Sequence, residues 1–316
     1  MKSNFETWRK AWEARRDYVR AAGLAAFRLV NDAADGLPGL AVDFYAGRYQ
    51  LSATSEAWLQ ERANVESQLC RLHPEFGASV SPRFFWNANW PGCRQALNTA
   101  EPESFTVREG GLRFEVQLGK SLHTGLFLDQ RENRSRLRKL AADSRGLNLF
   151  CHTGAFTVAA LAGGAREVIS VDLSKNYLGC LERNLRLNDL SASAHQSIAG
   201  DAMEYLRRSQ RNKTSFDWIV LDPPTFSRGK QGTFSTENNY GELTEACLQV
   251  LAPQGRLLAC LNTQSFSLVE FKERLKTVAK AMGRKILETP PPPPDFPSTP
   301  EAKLNPPLKC VWIGTN

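Results

Sequence analysis

From Gly146 to the region of Lys280, strand-like and helix-like segments alternate, and this alternation constrains the fold more than any other feature of the chain. The strand candidates are Leu147–Phe150, EVISVD, the stretch near Ala194–Ile198, FDWIVLD and RLLACLN, with helical patterns between them. Repeated strand–helix units imply an α/β fold with a doubly wound, mostly parallel sheet covered on both faces. Ligands in such sheets sit at the carboxyl ends of the strands.

The first of these units, GLNLFCHTGAFTVAAL (146–161), runs from a buried strand through the loop Cys151, His152, Thr153, Gly154 and Ala155 into an apolar helix. Backbone N–H groups at a helix start attract an anionic or polar cofactor group. The stretch alone admits two readings, a cofactor loop or a structural βα corner. Acidic residues where later strands end bear on that choice. Asp172 in SVDLS is placed to accept both hydroxyls of a ribose. Asp201 in GDAMEYL could receive an adenine amino group, cap its helix, or do both. A dinucleotide site needs G-x-G-x-x-G after the first strand and a P-loop needs G-K-[ST]; CHTGAF supplies neither. The pocket therefore calls for a nucleoside cofactor without a pyrophosphate, with S-adenosyl-L-methionine the leading candidate.

Asp222-Pro223-Pro224-Thr225-Phe226 is the sharpest local motif. Two prolines directly after a strand stop pairing and stiffen the backbone, presenting carbonyls and the Phe226 ring where a planar base could stack.

Upstream, short β-type runs (AFRLV, GLAVDFY, YQLSATS, Val80–Trp86, Ser104–Arg108, Leu112–Leu118) and a helical stretch over Ser55–Leu72 suggest a small α+β domain at 1–115, with the catalytic domain at 116–316. The first twenty residues form a basic helix with Trp8 and Trp12 four apart, either an RNA-contacting face or a packing pair beneath a solvated surface. In Gly119–Leu140, Asp129 looks like an N-cap, and Arg131, Arg134 and Arg138 share a helical face that either meets phosphates or is merely solvated. The run Pro290–Pro294 reads as an extended spacer, with Leu308–Ile313 returning as an edge strand.

Forty Lys and Arg against 33 Asp and Glu give a net charge of +7, which favours a polyanionic partner. No apolar run is long enough to cross a membrane and no secretory leader is visible. Seven scattered cysteines form no C-x-x-C pair, so zinc is not expected and the thiols suit a cytoplasmic location.

LNLFCHTGAFTVAALAGGAREVISVDLSKNYL, DAMEYL, DWIVLDPPTFSRGK and the preceding TGLFLDQRENR together resemble the class I S-adenosylmethionine-dependent methyltransferases of large-subunit ribosomal RNA. AFRLVNDAADGLPGLAVDFY resembles the small domain that precedes the catalytic domain in that group. The resemblance implies a Rossmann-like methyltransferase sheet acting on ribosomal RNA or a large-subunit precursor particle, with no metal and no membrane; a homodimer is left open. It implies that Cys151–Ala155 hold the methionine part of the cofactor, Asp172 its ribose, and Asp201 with Ala202 its adenine, with Leu173 also on the cofactor. Phe127, Gln130 and Arg131 would close the pocket, and Asp222–Phe226 would receive the base.

The group divides by chemistry. Cytosine C5 becomes nucleophilic only after a thiolate adds to C6, so its methylation needs an activated cysteine in the pocket. Guanine N7 carries a free lone pair and needs alignment with the methyl group in a dry pocket. In the cytosine members the nucleophile follows the strand that here reads RLLACLN; Asn262 stands in its place, with Cys260 two residues earlier on the same side of an alternating strand. The residue types favour guanine N7. Cytosine C5, a noncatalytic RNA-binding assembly factor and a small-molecule methyltransferase are the rivals.

Overall fold

In the computed structural model, which describes residues 4–97, 100–224, 226–229 and 232–315, the chain divides into two compact units, Met1–Arg131 with Pro292–Thr299, and Glu132–Pro291 with Pro300–Asn316. The side chains of residues 225–238 lie outside the described set.

The first unit opens with α1 (Phe5–Ala21), capped by the Asn4 side chain, which accepts from the Thr7 N–H at 3.0 Å. A meander follows, β1 (Ala26–Asn31), β2 (Leu40–Tyr45) and β3 (Arg48–Ala53); α2 (Ala57–Gln60) and α3 (Arg62–Leu72) then cross to β4 (Arg83–Trp90), which pairs parallel to β3 and antiparallel to β5 (Cys93–Leu97). One face of this five-stranded sheet is apolar and buries Trp8, Trp12, Phe27, Leu51, Val65, Leu69 and Trp86 together. Both α1 tryptophans are therefore packing residues, at 0% and 3% exposure. The hairpin β6 (Glu103–Glu109) and β7 (Leu112–Leu118) completes the unit's strands.

The unit extends to Arg131 rather than stopping at 115, because the segment after β7 stays bonded to the sheet. Gln50 Nε2 donates to the Leu122 carbonyl at 2.9 Å, and the Tyr45 hydroxyl meets Thr124 Oγ1 at 3.1 Å. The proline-rich stretch is no free spacer either. Asp295, fully buried, accepts from Arg131 Nη1 at 2.8 Å and from the Arg28 N–H at 2.9 Å, while its carbonyl accepts from Arg15 Nε at 3.1 Å.

The second unit holds α4 (Arg131–Leu140), whose first residue closes the first unit, then β8 (Arg145–Leu149), α5 (Ala155–Ala162), β9 (Glu167–Asp172), α6 (Lys175–Leu187), β10 (His195–Ala199), α7 (Ala202–Arg211) and β11 (Phe216–Leu221). The hairpin β12 (Phe226–Gly229) and β13 (Gly232–Ser235), α8 (Thr236–Gln249), β14 (Leu251–Asn262), α9 (Leu268–Ala281), β15 (Lys285–Glu288), α10 (Pro300–Leu304) and β16 (Leu308–Gly314) follow. The sheet order is β10-β9-β8-β11-β14-β16-β15, with the first five strands parallel. The order reverses at β8, and the crevice beside its carboxyl end is where such sheets bind ligands. Leu147, Leu149, Ile169, Ile219, Leu257 and Val311 lie in its core.

The strand expected at Leu308–Ile313 exists, but it is interior: β16 pairs with β14 on one side and with the unanticipated edge strand β15 on the other. KILE is too short and too polar to read as a strand alone.

Candidate active site

Three chain segments meet at the carboxyl ends of β8, β9 and β11. After β8 the backbone enters the left-handed region at Phe150 (φ 56°), His152 (φ 50°) and Gly154 (φ 76°). Such backbone persists only where its surroundings over-determine it. Here the Cys151 N–H donates to the Val171 carbonyl at 3.1 Å, the His152 N–H to Asp172 Oδ2 at 2.9 Å, and buried Asn184 donates Nδ2–H to the Thr153 carbonyl at 2.9 Å. Gly154 is obligatory on two counts: its φ, and a Cβ that would lie 2.2 Å from Leu181 Cγ on α6.

Gly154 starts α5 without a side-chain cap, so the first-turn N–H groups of that helix remain for a ligand. Asp172 Oδ1 accepts from the Ser174 N–H at 2.8 Å, which together with the His152 bond fixes the carboxylate while leaving each oxygen a further acceptor site. Asp201 caps α7, accepting from the Glu204 N–H at 2.9 Å, and the adjacent Gly200 N–H donates to the Asp172 carbonyl at 3.0 Å. The capping role and a place beside Asp172 thus coexist. Ala202 is buried in the core, whereas Leu173 is exposed. An uncapped helix start and an oriented carboxylate fit the carboxylate and ribose of a nucleoside-amino-acid cofactor such as S-adenosylmethionine.

Tyr177 and Asn184 were not anticipated. The Tyr177 ring lies 4.2 Å from that of His152, and Asn184 holds the loop from beneath. An aromatic residue in the first helical turn after Asp172 was the available signal. Phe127, Gln130 and Arg131 fall in the first unit, Phe127 exposed and Gln130 buried. The Arg131 guanidinium is occupied by Asp295, by Glu109 at 3.4 Å and by the Ala26 carbonyl at 2.7 Å; these acids hold it charged against the cost of burial. Arg134 is buried as well, so Arg131, Arg134 and Arg138 do not together present the phosphate-facing or solvated face that their spacing suggests.

Pro223 is buried and Pro224 exposed at the end of β11, which pairs with β8 and β14. The Phe226 side chain lies outside the described residues; its backbone begins β12. Asn262 is exposed at the end of β14. Cys260 is fully buried, its Sγ 3.6 Å from Cys310 Sγ, and the β14–β16 register runs unbroken from Leu257 to Asn262. Cys151 is no better poised: burial, reinforced by Asp172, pushes its thiol well above the ordinary range.

A family model described as S-adenosylmethionine-dependent methyltransferase matches residues 84–308. A ribosomal RNA large subunit methyltransferase of Deinococcus radiodurans is 32% identical over 87% of this chain and 71% of its own length. Ribosomal RNA large subunit methyltransferase I of Aeromonas hydrophila is 34% identical over 88% of this chain and 72% of its own, and methyltransferase K of Neisseria meningitidis serogroup B is 32% identical over 83% and 77%. A crystal structure of a protein assigned as a methyltransferase, complexed with SAH, superposes with a TM-score of 0.88 at 27% identity, covering 98% of this chain and 80% of that one. With the loop after β8, Asp172 and Asp201 arranged as they are, the chain belongs to the S-adenosylmethionine-dependent methyltransferase family.

Proposed function

We propose that this methyltransferase acts on a base of large-subunit ribosomal RNA, at guanine N7 in preference to cytosine C5. The RNA assignment draws on the relatives of both named types, and the first unit is read as the RNA-binding domain. The choice of atom rests on one observation: an exposed Asn262 ends β14, while Cys260 is sealed against Cys310.

Bound in this site, S-adenosylmethionine would supply an electrophilic methyl group to a lone pair of the base. The α5 N-terminus and the Cys151–Ala155 loop hold the amino-acid end, Asp172 with Leu173 the ribose, and Asp201 with Ala202 the adenine. Phe127 and Gln130, on the segment that Arg131 anchors to Asp295, are read as further cofactor-binding residues. Asp222, Pro223 and Pro224 present a rigid acceptor edge to the base, and the Asn262 amide orients it. Guanine N7 needs no deprotonation, so no residue has to act as general base; the acceptor edge stabilises the positive charge that develops on the ring.

Asp172→Ala is expected to weaken cofactor binding at least tenfold by calorimetry; unchanged affinity would remove the ribose assignment. Mass spectrometry of ribosomal RNA nucleosides from cells with and without the gene tests the target. Loss of one 7-methylguanosine is expected. Loss of 5-methylcytidine would reverse the choice of atom, and an unchanged profile would favour the assembly-factor reading.

A further inference from the structure

Most arginines of the first unit are spoken for: Arg9 by Glu6, Arg15 by Asp35, Arg28 by Asp43, Arg48 and Arg83 by Glu103, and Arg62 by Glu66. Arg94, exposed at the start of β5, forms no ion pair among the described residues. It lines an open groove of about 430 Å³ at the β4–β5 turn, together with Asn89, Trp90 and Pro91. Asn89 and Arg94 are cross-strand partners on one face, and one pleat inward Asn87 is buried with its Nδ2 donor unpartnered among the described residues.

The charge of Arg94 is felt at His123, whose imidazole is held below its ordinary pKa by burial and then by Arg94. His123 in turn meets Phe127 edge-on, with ring centroids 5.7 Å apart, and Phe127 is 40% exposed. Trp90, His123 and Phe127 thus supply rings, and Arg94 a positive charge, from the hairpin to the segment assigned to the cofactor. Stacking platforms interleaved with positive charge bind single-stranded nucleic acid.

We infer that the groove and the Arg94–His123–Phe127 array form the surface that grips single-stranded RNA flanking the target nucleotide. This rests on the reading of the chain as an RNA methyltransferase. Exposed Lys120, three residues before His123 and without an ion pair among the described residues, adds charge on the same segment.

The test uses the full chain and in vitro transcribed large-subunit ribosomal RNA, with affinity measured by anisotropy from 50 to 200 mM salt. Arg94→Ala is expected to weaken binding at least threefold and to reduce the salt slope by about one. His123→Ala is expected to weaken it about fivefold or more, with the salt slope unchanged. Melting temperature and cofactor affinity should match the wild type in both, which separates RNA contact from misfolding. If the wild type binds the RNA and both variants stay within twofold of it, the surface is wrong while the RNA reading survives. If the wild type binds no RNA, both fall.

Discussion

Asp295→Asn should be the most damaging conservative substitution in the first unit. The carboxylate is fully buried and accepts from Arg131 Nη1 at 2.8 Å and from the Arg28 N–H at 2.9 Å. Replacing it with an amide keeps the shape but strands a guanidinium whose side chain is 6% exposed, leaving Glu109 at 3.4 Å as its remaining carboxylate among the pairs described. Breaking a buried pair from one side costs about 3–5 kcal/mol, against about 0–1 kcal/mol for a surface pair. With urea slopes of about 1–3 kcal/mol/M for domains of this size, the midpoint should fall by about 1–5 M. Trp8, Trp12, Trp58 and Trp86 all lie buried in this unit, so tryptophan fluorescence reports its unfolding. Arg9→Gln, at an exposed α1 pair, is the control and should cost under about 0.5 kcal/mol. A loss below about 1 kcal/mol for Asp295→Asn would refute the reasoning, because it would mean that water or another acceptor already compensates Arg131.

Gly154→Ala combines a left-handed φ of 76° with a Cβ 2.2 Å from Leu181 Cγ, so stability should drop by about 2 kcal/mol or more and cofactor affinity should fall with it. Wild-type melting and calorimetry in that variant would show that the loop is not held against α6. Lys309 titrates differently from an ordinary lysine: it is buried, donates to the Thr263 and Pro306 carbonyls at 2.7 Å each, and burial lowers its pKa from 10.5 to about 8. Between those values the unfolded chain holds a proton that the folded chain has released, so this residue makes stability rise with pH across that window. The difference in urea midpoint between wild type and Lys309→Met should shift in favour of the wild type from pH 7.5 to pH 10; a constant difference would remove Lys309 from the titration.

The second unit was legible in the sequence because its signals are local. Each strand is a short apolar run followed within a few residues by its loop and helix, and Asp172, Asp201 and the double proline each stand where such a run stops. What could not be read depends on contacts far along the chain. Arg131 looks like one member of a basic helical face, and its burial follows from Asp295, on a segment that composition alone marks as an extended spacer. Likewise β16 takes an interior place only because β15, four residues of mixed polarity, forms outside it.

The base side of the site shows the same division at closer range. Alternation along β14 places Cys260 and Asn262 on one side of the strand, and from the sequence either could face a substrate. The antiparallel partner separates them. Cys260 falls opposite Cys310 and its carbonyl accepts from the Tyr240 hydroxyl at 2.8 Å, so strand β16 and helix α8 both close over that position. Asn262 falls opposite Leu308, the first residue of β16, where the paired stretch ends and the side chain reaches solvent. Two residues of travel along one strand thus separate a thiol in the core from an amide at the crevice. A thiol that must become a thiolate is disfavoured in the first place, and the base-orienting role proposed above for the Asn262 amide fits the second.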